Sequence, residues 1–123
     1  MLTPERPVRL AIAGAGVMGA NHARVASRTP GVELVAIVDL DAERRSTLAQ
    51  ATGSAHLATI EELIAQGCAD AVVVATPTGS HHAVSAACLD AGLHVLVEKP
   101  IAATVADAQD LFAAISPGPA GTP

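Results

Sequence analysis

An α/β fold of the doubly wound kind, a parallel sheet of about five strands with helices on both faces, is what this sequence predicts. Short apolar, β-prone runs alternate with helix-type stretches along most of the chain. The first run stops in three closely spaced glycines, Gly14, Gly16 and Gly19, just before a helix begins. The second run closes on an acid, Asp39.

The elements follow in order. Val8 to Ala13 (VRLAIA) reads as a strand, and a helix is predicted from about Met18 to Arg28, broken by Thr29-Pro30-Gly31. Val32 to Val38 (VELVAIV) is apolar almost throughout, as a parallel strand covered on both faces should be. A helix around Ala42 to Ala51 ends at Gly53, and a very short strand is expected near Ala55 to Leu57. Thr59 and Glu62 have capping-box spacing for a helix from Ile60 to Gln66, with Ile60, Leu63 and Ile64 on its apolar face. Ala71 to Ala75 is the next strand, left through Thr76-Pro77-Thr78-Gly79. Ser80 is placed to cap a helix on which Val84, Ala87, Cys88 and Ala91 share a stripe, closed by Gly92. His94 to Val97 is the fifth strand, and Glu98-Lys99-Pro100 leaves it. Thr104 and Asp107 have the spacing to cap a last helix whose Val105, Ala108, Phe112 and Ile115 are predicted to face inward. From Ser116 the chain is proline, glycine and small residues, read as a disordered tail over 116–123. The ordered domain is therefore expected to span 1–115.

Composition narrows the function. Half of the 123 residues are apolar, enough to bury a core in one domain. A net charge of −5 with no basic run, and a single aromatic, Phe112, argue against nucleic acid as a partner. Cys68 and Cys88 have neither CxxC nor Cys/His spacing, so no metal site and no disulfide framework is expected. His81 and His82 are adjacent on a helix and point about 100° apart, which disfavours a two-histidine metal site. Arg6 and Arg9 precede an apolar stretch, but the glycines, Asn21 and His22 interrupt it before it resembles a signal peptide. No run approaches the roughly 18 apolar residues of a membrane span, so a cytoplasmic location without a membrane partner is expected.

Gly14-Ala15-Gly16-Val17-Met18-Gly19 matches GxGxxG, and it lies where the chemistry needs it, between a strand and a helix. The first glycine permits a tight turn, the second leaves room for a pyrophosphate against the backbone, and the third lets helix and strand pack closely. Phosphates then meet the N–H groups and dipole of a helix N-terminus. Asp39 ends the second strand twenty residues after Gly19, where a carboxylate can accept bonds from ribose hydroxyls. That carboxylate repels the 2′-phosphate of NADP, so NAD is the expected cofactor, with NADP possible because Arg44 and Arg45 lie nearby. These features together predict a dinucleotide-binding domain of the Rossmann type.

Two further loops leave the sheet at the same edge. GAGVMGANHA, a strand ending in Asp39, ATPTGSHH and HVLVEKP, in that order, resemble the N-terminal domain of the Gfo/Idh/MocA oxidoreductase family over about Val8 to Ile115. The resemblance implies a pyridine-nucleotide oxidoreductase acting on sugars, inositols or related polyols. It implies that Lys99 of the EKP segment lies beside the nicotinamide and substrate, and that Glu98 contacts the cofactor region. Thr76 and Pro77 would line the cofactor cleft with His81 near it, and His22 would be a structural hydrogen-bonding residue. The chemistry agrees, since a lysine ammonium can orient a hydroxyl and stabilise charge developing on its oxygen.

Members of that family continue into a second α/β domain, whereas this sequence passes into its proline-glycine tail. The expectation is a truncated cofactor domain, not catalytic alone, whose fifth strand is an open edge that could support a homo-oligomer. The alternative is a non-catalytic nucleotide-binding or regulatory module. A short-chain dehydrogenase would need a catalytic tyrosine and a P-loop would need GxxxxGK[ST], and both are absent. A methyltransferase could share the glycine turn, but not the TPxxxH and EKP segments.

Overall fold

The computed structural model describes residues 6–115. The chain alternates β1 (Val8–Ala13), α1 (Val17–Ser27), β2 (Val32–Val38), α2 (Ala42–Thr52), β3 (Ala55–Leu57), α3 (Ile60–Gln66), β4 (Ala71–Val74), α4 (His81–Asp90), β5 (His94–Val97) and α5 (Val105–Ala114). The strands form one all-parallel sheet in the order β3-β2-β1-β4-β5. The chain winds outward from β1 in both directions, so a crevice opens between β1 and β4, where the winding reverses. The proline-glycine tail predicted over 116–123 lies outside the described residues.

Because successive side chains on a strand face opposite sides, β1 supplies both cores. Ala11 and Ala13 join Ala36, Val38, Val72 and Val74 beneath Ile60 and Leu63 of α3 and Cys88 of α4. Ile12 joins Ile37 and Val73 on the other face, under Ala23 of α1 and Leu48 and Ala49 of α2. Small alanines at these positions let helices approach the sheet closely. At the opposite end from the crevice, Asp70 accepts from the Arg9 backbone N–H (2.9 Å) and from Arg9 Nη2 (2.9 Å), tying β1 to the entry of β4. Those bonds hold the Asp70 carboxyl well below the usual carboxylate range.

Of the three predicted caps, Thr59 and Thr104 form and Ser80 does not, while Asp41, which is not among them, caps α2. Asp41, Thr59 and Thr104 accept from the N–H groups of Arg44, Glu62 and Asp107. Ser80 does not cap α4. It closes a single 3₁₀ turn, Thr78–Ser80, and its hydroxyl donates to the Pro77 carbonyl instead (2.8 Å). On α4, Cys88 is buried and Ala91, expected on the same stripe, is exposed.

The last helix departs further from expectation. Leu111 is its buried residue, while Val105 and Phe112 are 74% and 66% exposed and Ile115 is exposed as well. The periodicity of an apolar stripe reports a helix but not which layer meets it. Here α5 packs on α4, and much of its apolar face looks outward.

His82 of α4 donates from Nε2 to Asp110 Oδ2 of α5 (2.6 Å). That bond raises the His82 pKa above 6.5. The bridge is thus fully formed below the unfolded value and is lost as pH rises through the folded one. Exchange of α5 backbone amides, corrected for intrinsic rate, should quicken as pH rises above 6.5. His82→Gln should flatten that dependence, and identical profiles would show that the bridge does not hold α5.

Candidate functional site

The glycine turn fills the end of β1 in three different ways. Gly14 takes φ 104°, and a Cβ there would lie 2.5 Å from the Ala75 carbonyl oxygen, so the exits of β1 and β4 touch through it. Gly19 is buried, and a Cβ on it would overlap the Gly14 carbonyl oxygen. Gly16 differs: nothing stands within 4 Å of where its Cβ would be. The space beside it is open, and Gly16 itself lines the crevice.

Helix α1 starts at this turn with no side-chain cap and no acidic residue in its first turn. Its leading N–H groups are therefore available to an anion. Asp39, at the tip of β2, packs against the same turn, its Oδ2 accepting from the Ala15 N–H and its Oδ1 from the Asp41 N–H, both at 2.8 Å. Each oxygen keeps capacity for a further donor. Arg44 Nη2 stands 3.9 Å from Asp39 Oδ1 and lines the crevice. Arg45 instead turns to the Asp39 and Leu40 carbonyls and to His56 Nδ1, holding the loop after β2 from behind.

The crevice has a volume of about 770 Å³, within the range of small-molecule sites. Gly14, Gly16, Val17, Met18, Asp39, Thr76 and Pro77, all singled out from the sequence, line it together. Leu40 and Asp41, Ala58 to Glu61 before and within α3, and Ala83, Val84 and Ala87 of α4 line it as well. None of these carries a ligand-binding motif. The one signal that could have found them is the fold itself, which brings the loop after β3 and one face of α4 to the same strand ends. Thr76 Oγ1 is buried with no hydrogen-bond partner among the described residues, a cost that a bound polar group would remove.

Gly19, His81, Glu98 and Lys99 are not part of the crevice lining. Gly19 supports the turn from beneath. The His81 ring is 2% exposed, with Nδ1 2.8 Å from the Pro100 carbonyl and Nε2 2.7 Å from the Thr76 carbonyl. It thus ties the loop after β4 to the loop after β5 and has no free ring nitrogen to offer. Glu98 follows β5, and its Oε1 accepts from His22 Nε2 of α1 (2.8 Å). Lys99 is exposed and makes no hydrogen bond or ion pair among the described residues.

Other chemistries find little support. Burial pushes the Cys88 thiol up to about 11, so it stays protonated as a packing residue. Among the described residues no three His, Cys, Asp or Glu side chains gather as metal ligands. No helix among them is long and apolar enough to cross a membrane.

Residues 8–117 match the model of the Gfo/Idh/MocA family, described as an oxidoreductase family with an NAD-binding Rossmann fold. The chain belongs to this family. Inositol 2-dehydrogenase 1 of Saccharopolyspora erythraea is 43% identical over 103 residues, which are 81% of this chain and 31% of that protein. A 4-carboxy-2-hydroxymuconate-6-semialdehyde dehydrogenase of a Sphingobium species is 40% identical over 103 residues, 83% of this chain and 33% of its own. Among solved structures, the WlbA dehydrogenase of Chromobacterium violaceum, crystallised with NADH and UDP-GlcNAcA, superposes with a TM-score of 0.87 at 31% identity, covering 91% of this chain and 33% of that one. GenD2 from gentamicin A biosynthesis, in complex with NAD, gives 0.85 at 35% identity, covering 93% and 34%. The chain spans about a third of the length of the relatives it matches.

The residues present fit the family's cofactor. An uncapped helix N-terminus beside open space suits a pyrophosphate, a carboxylate at the tip of β2 suits ribose hydroxyls, and the orphaned Thr76 hydroxyl awaits a polar group.

Proposed function

We propose that this chain is the cofactor-holding part of an oxidoreductase that moves hydride between nicotinamide and a secondary alcohol of a sugar, inositol or related polyol. The observation that carries it is the convergence of the open Gly16 turn, Asp39 and the unpartnered Thr76 hydroxyl on one crevice at the ends of β1, β2 and β4. Bound there, NAD supplies the hydride acceptor. The first N–H groups of α1 take the pyrophosphate charge, Asp39 binds the ribose, and Thr76 and Pro77 wall the middle of the cleft. On this reading Lys99 lies beside the reacting carbon, orients the alcohol and stabilises charge on its oxygen. The crevice residues are those that suit a cofactor, so the chain alone is read as binding cofactor without turnover.

Asp39 sets the choice of cofactor on this reading. Asp39→Ala also removes its brace on the Ala15 N–H, so both cofactors lose some affinity. NAD(H) should lose about 1–2 kcal/mol more than NADP(H), the worth of charge-assisted bonds to the ribose hydroxyls. Calorimetric titration of wild type and variant with NADH, NADPH and S-adenosylmethionine decides the matter. Equal losses for both dinucleotides would remove Asp39 from the selection, and tight binding of S-adenosylmethionine alone would overturn the function.

A further inference from the structure

His22 and Glu98 lie 76 residues apart in sequence, yet their side chains meet at 2.8 Å, each about three-quarters buried. The two ends of that contact are differently anchored. His22 sits one turn into α1, the helix whose first N–H groups face the phosphate space. Glu98 is fixed at its backbone, where its N–H donates to the Val74 carbonyl, and Lys99 is the next residue. Among the described residues Lys99 makes no hydrogen bond or ion pair of its own, and β5, which carries this loop, is paired on one side only. Besides the Glu98 N–H bond to Val74, two side-chain ties among the described residues hold the loop after β5: His81 at Pro100 and His22 at Glu98. Of these, only the His22 tie runs from the element that would hold the cofactor's phosphates.

We infer that His22 is a positioning residue, which through Glu98 fixes Lys99 relative to the phosphate-binding turn, so that the two halves of the cofactor site keep one spacing. The inference rests on the reading that Lys99 serves the nicotinamide end. Without that donor the loop after Val97 keeps its backbone bond to Val74 and the His81 tie at Pro100, but neither of these runs to α1, so Lys99 can shift relative to the phosphate-binding turn. Glu98 retains a second carboxylate oxygen toward its surroundings, so the bond with His22 orients the group without consuming it.

Lys99 is the only lysine in the sequence, which makes its position directly readable. In protein grown on lysine carrying ¹³C at Cε, the side chain gives one Cε–Hε cross-peak. In the wild type NAD⁺ should shift that peak and ADP-ribose, which lacks the nicotinamide, should leave it nearly in place. In His22→Ala the shift caused by NAD⁺ should fall by about half or more, while ADP-ribose affinity stays within about twofold, as expected when a positioning contact rather than the fold is lost. His22→Gln, which keeps a donor amide, should recover much of the shift, and adding Glu98→Ala to His22→Ala should cost little beyond Glu98→Ala alone. A full shift in His22→Ala, or fully additive losses in the double variant, overturns the strut and leaves the function standing. No shift in the wild type with NAD⁺ bound overturns the placement of Lys99 and the strut together. Should His22→Ala fail to bind ADP-ribose, the Gln variant decides: loss of the Lys99 shift without recovery would count against a hydrogen-bonded strut.

Discussion

Gly16→Val should abolish dinucleotide binding and leave the domain folded. The native backbone at this position has φ −77° and ψ −163°, an extended conformation that β-branched residues adopt readily. Apart from its chain neighbours, no atom lies within 4 Å of the Cβ position, so the added branch begins in open space. It enters the space in front of the α1 N-terminus, where a pyrophosphate must come within hydrogen-bonding distance of the backbone. Losing that approach should weaken NADH by at least about a hundredfold, or about 2.7 kcal/mol. Calorimetry checks the affinity, and circular dichroism with thermal melts checks the fold. Native melting with unchanged NADH affinity would take the glycine turn out of the site.

The strands and this turn are legible because they depend on local signals that sequence displays. Continuous apolar runs such as VELVAIV mark buried parallel strands, and the glycine spacing with Asp39 marks where the ligand meets the sheet. The rest of the crevice was not legible, since Ala58, Thr59 and Ile60, or Ala83 and Val84, have ordinary identities and gain a role only from the crossover that brings them to the edge. The sequence marks His22 as a structural hydrogen-bonding residue, but nothing in it names Glu98 as the partner. Such a pairing depends on how α1 and β5 lie across the sheet, which no local pattern encodes. The same holds for α5. Its stripe of Val105, Phe112 and Ile115 looks inward by periodicity, while its place on α4 buries Leu111 and leaves the others exposed. His81 shows the converse: a histidine in a cleft-side motif suggests a ligand, and its first-turn position on α4 turns the ring inward onto two backbone carbonyls.

Gly19→Ala, the smallest change available at the third glycine, should instead cost the fold itself. The added methyl would occupy the volume of the Gly14 carbonyl oxygen, with Ile12 Cγ2 behind it at 3.6 Å. Neither obstacle yields cheaply. The Gly14 N–H donates to the Val38 carbonyl (2.7 Å), and Gly14 itself abuts the exit of β4, so the turn cannot back away without parting β1 from its neighbours. Moving α1 outward instead would open the core around Ile12 and Ala23, which are fully buried. Overpacking against well-fixed groups typically costs about 1–3 kcal/mol, and an overlap with backbone rather than a side-chain tip belongs above that range, at about 4 kcal/mol or more. For a domain of ordinary stability this is a large part of the whole, so denaturant midpoints should fall steeply or the variant should be unfolded at 25 °C. Binding then discriminates the two glycines: any NADH affinity remaining in Gly19→Ala should scale with the folded fraction, whereas Gly16→Val loses affinity while fully folded. A Gly19→Ala protein with the wild-type denaturation midpoint would show that α1 does not rest on the turn as closely as its geometry requires.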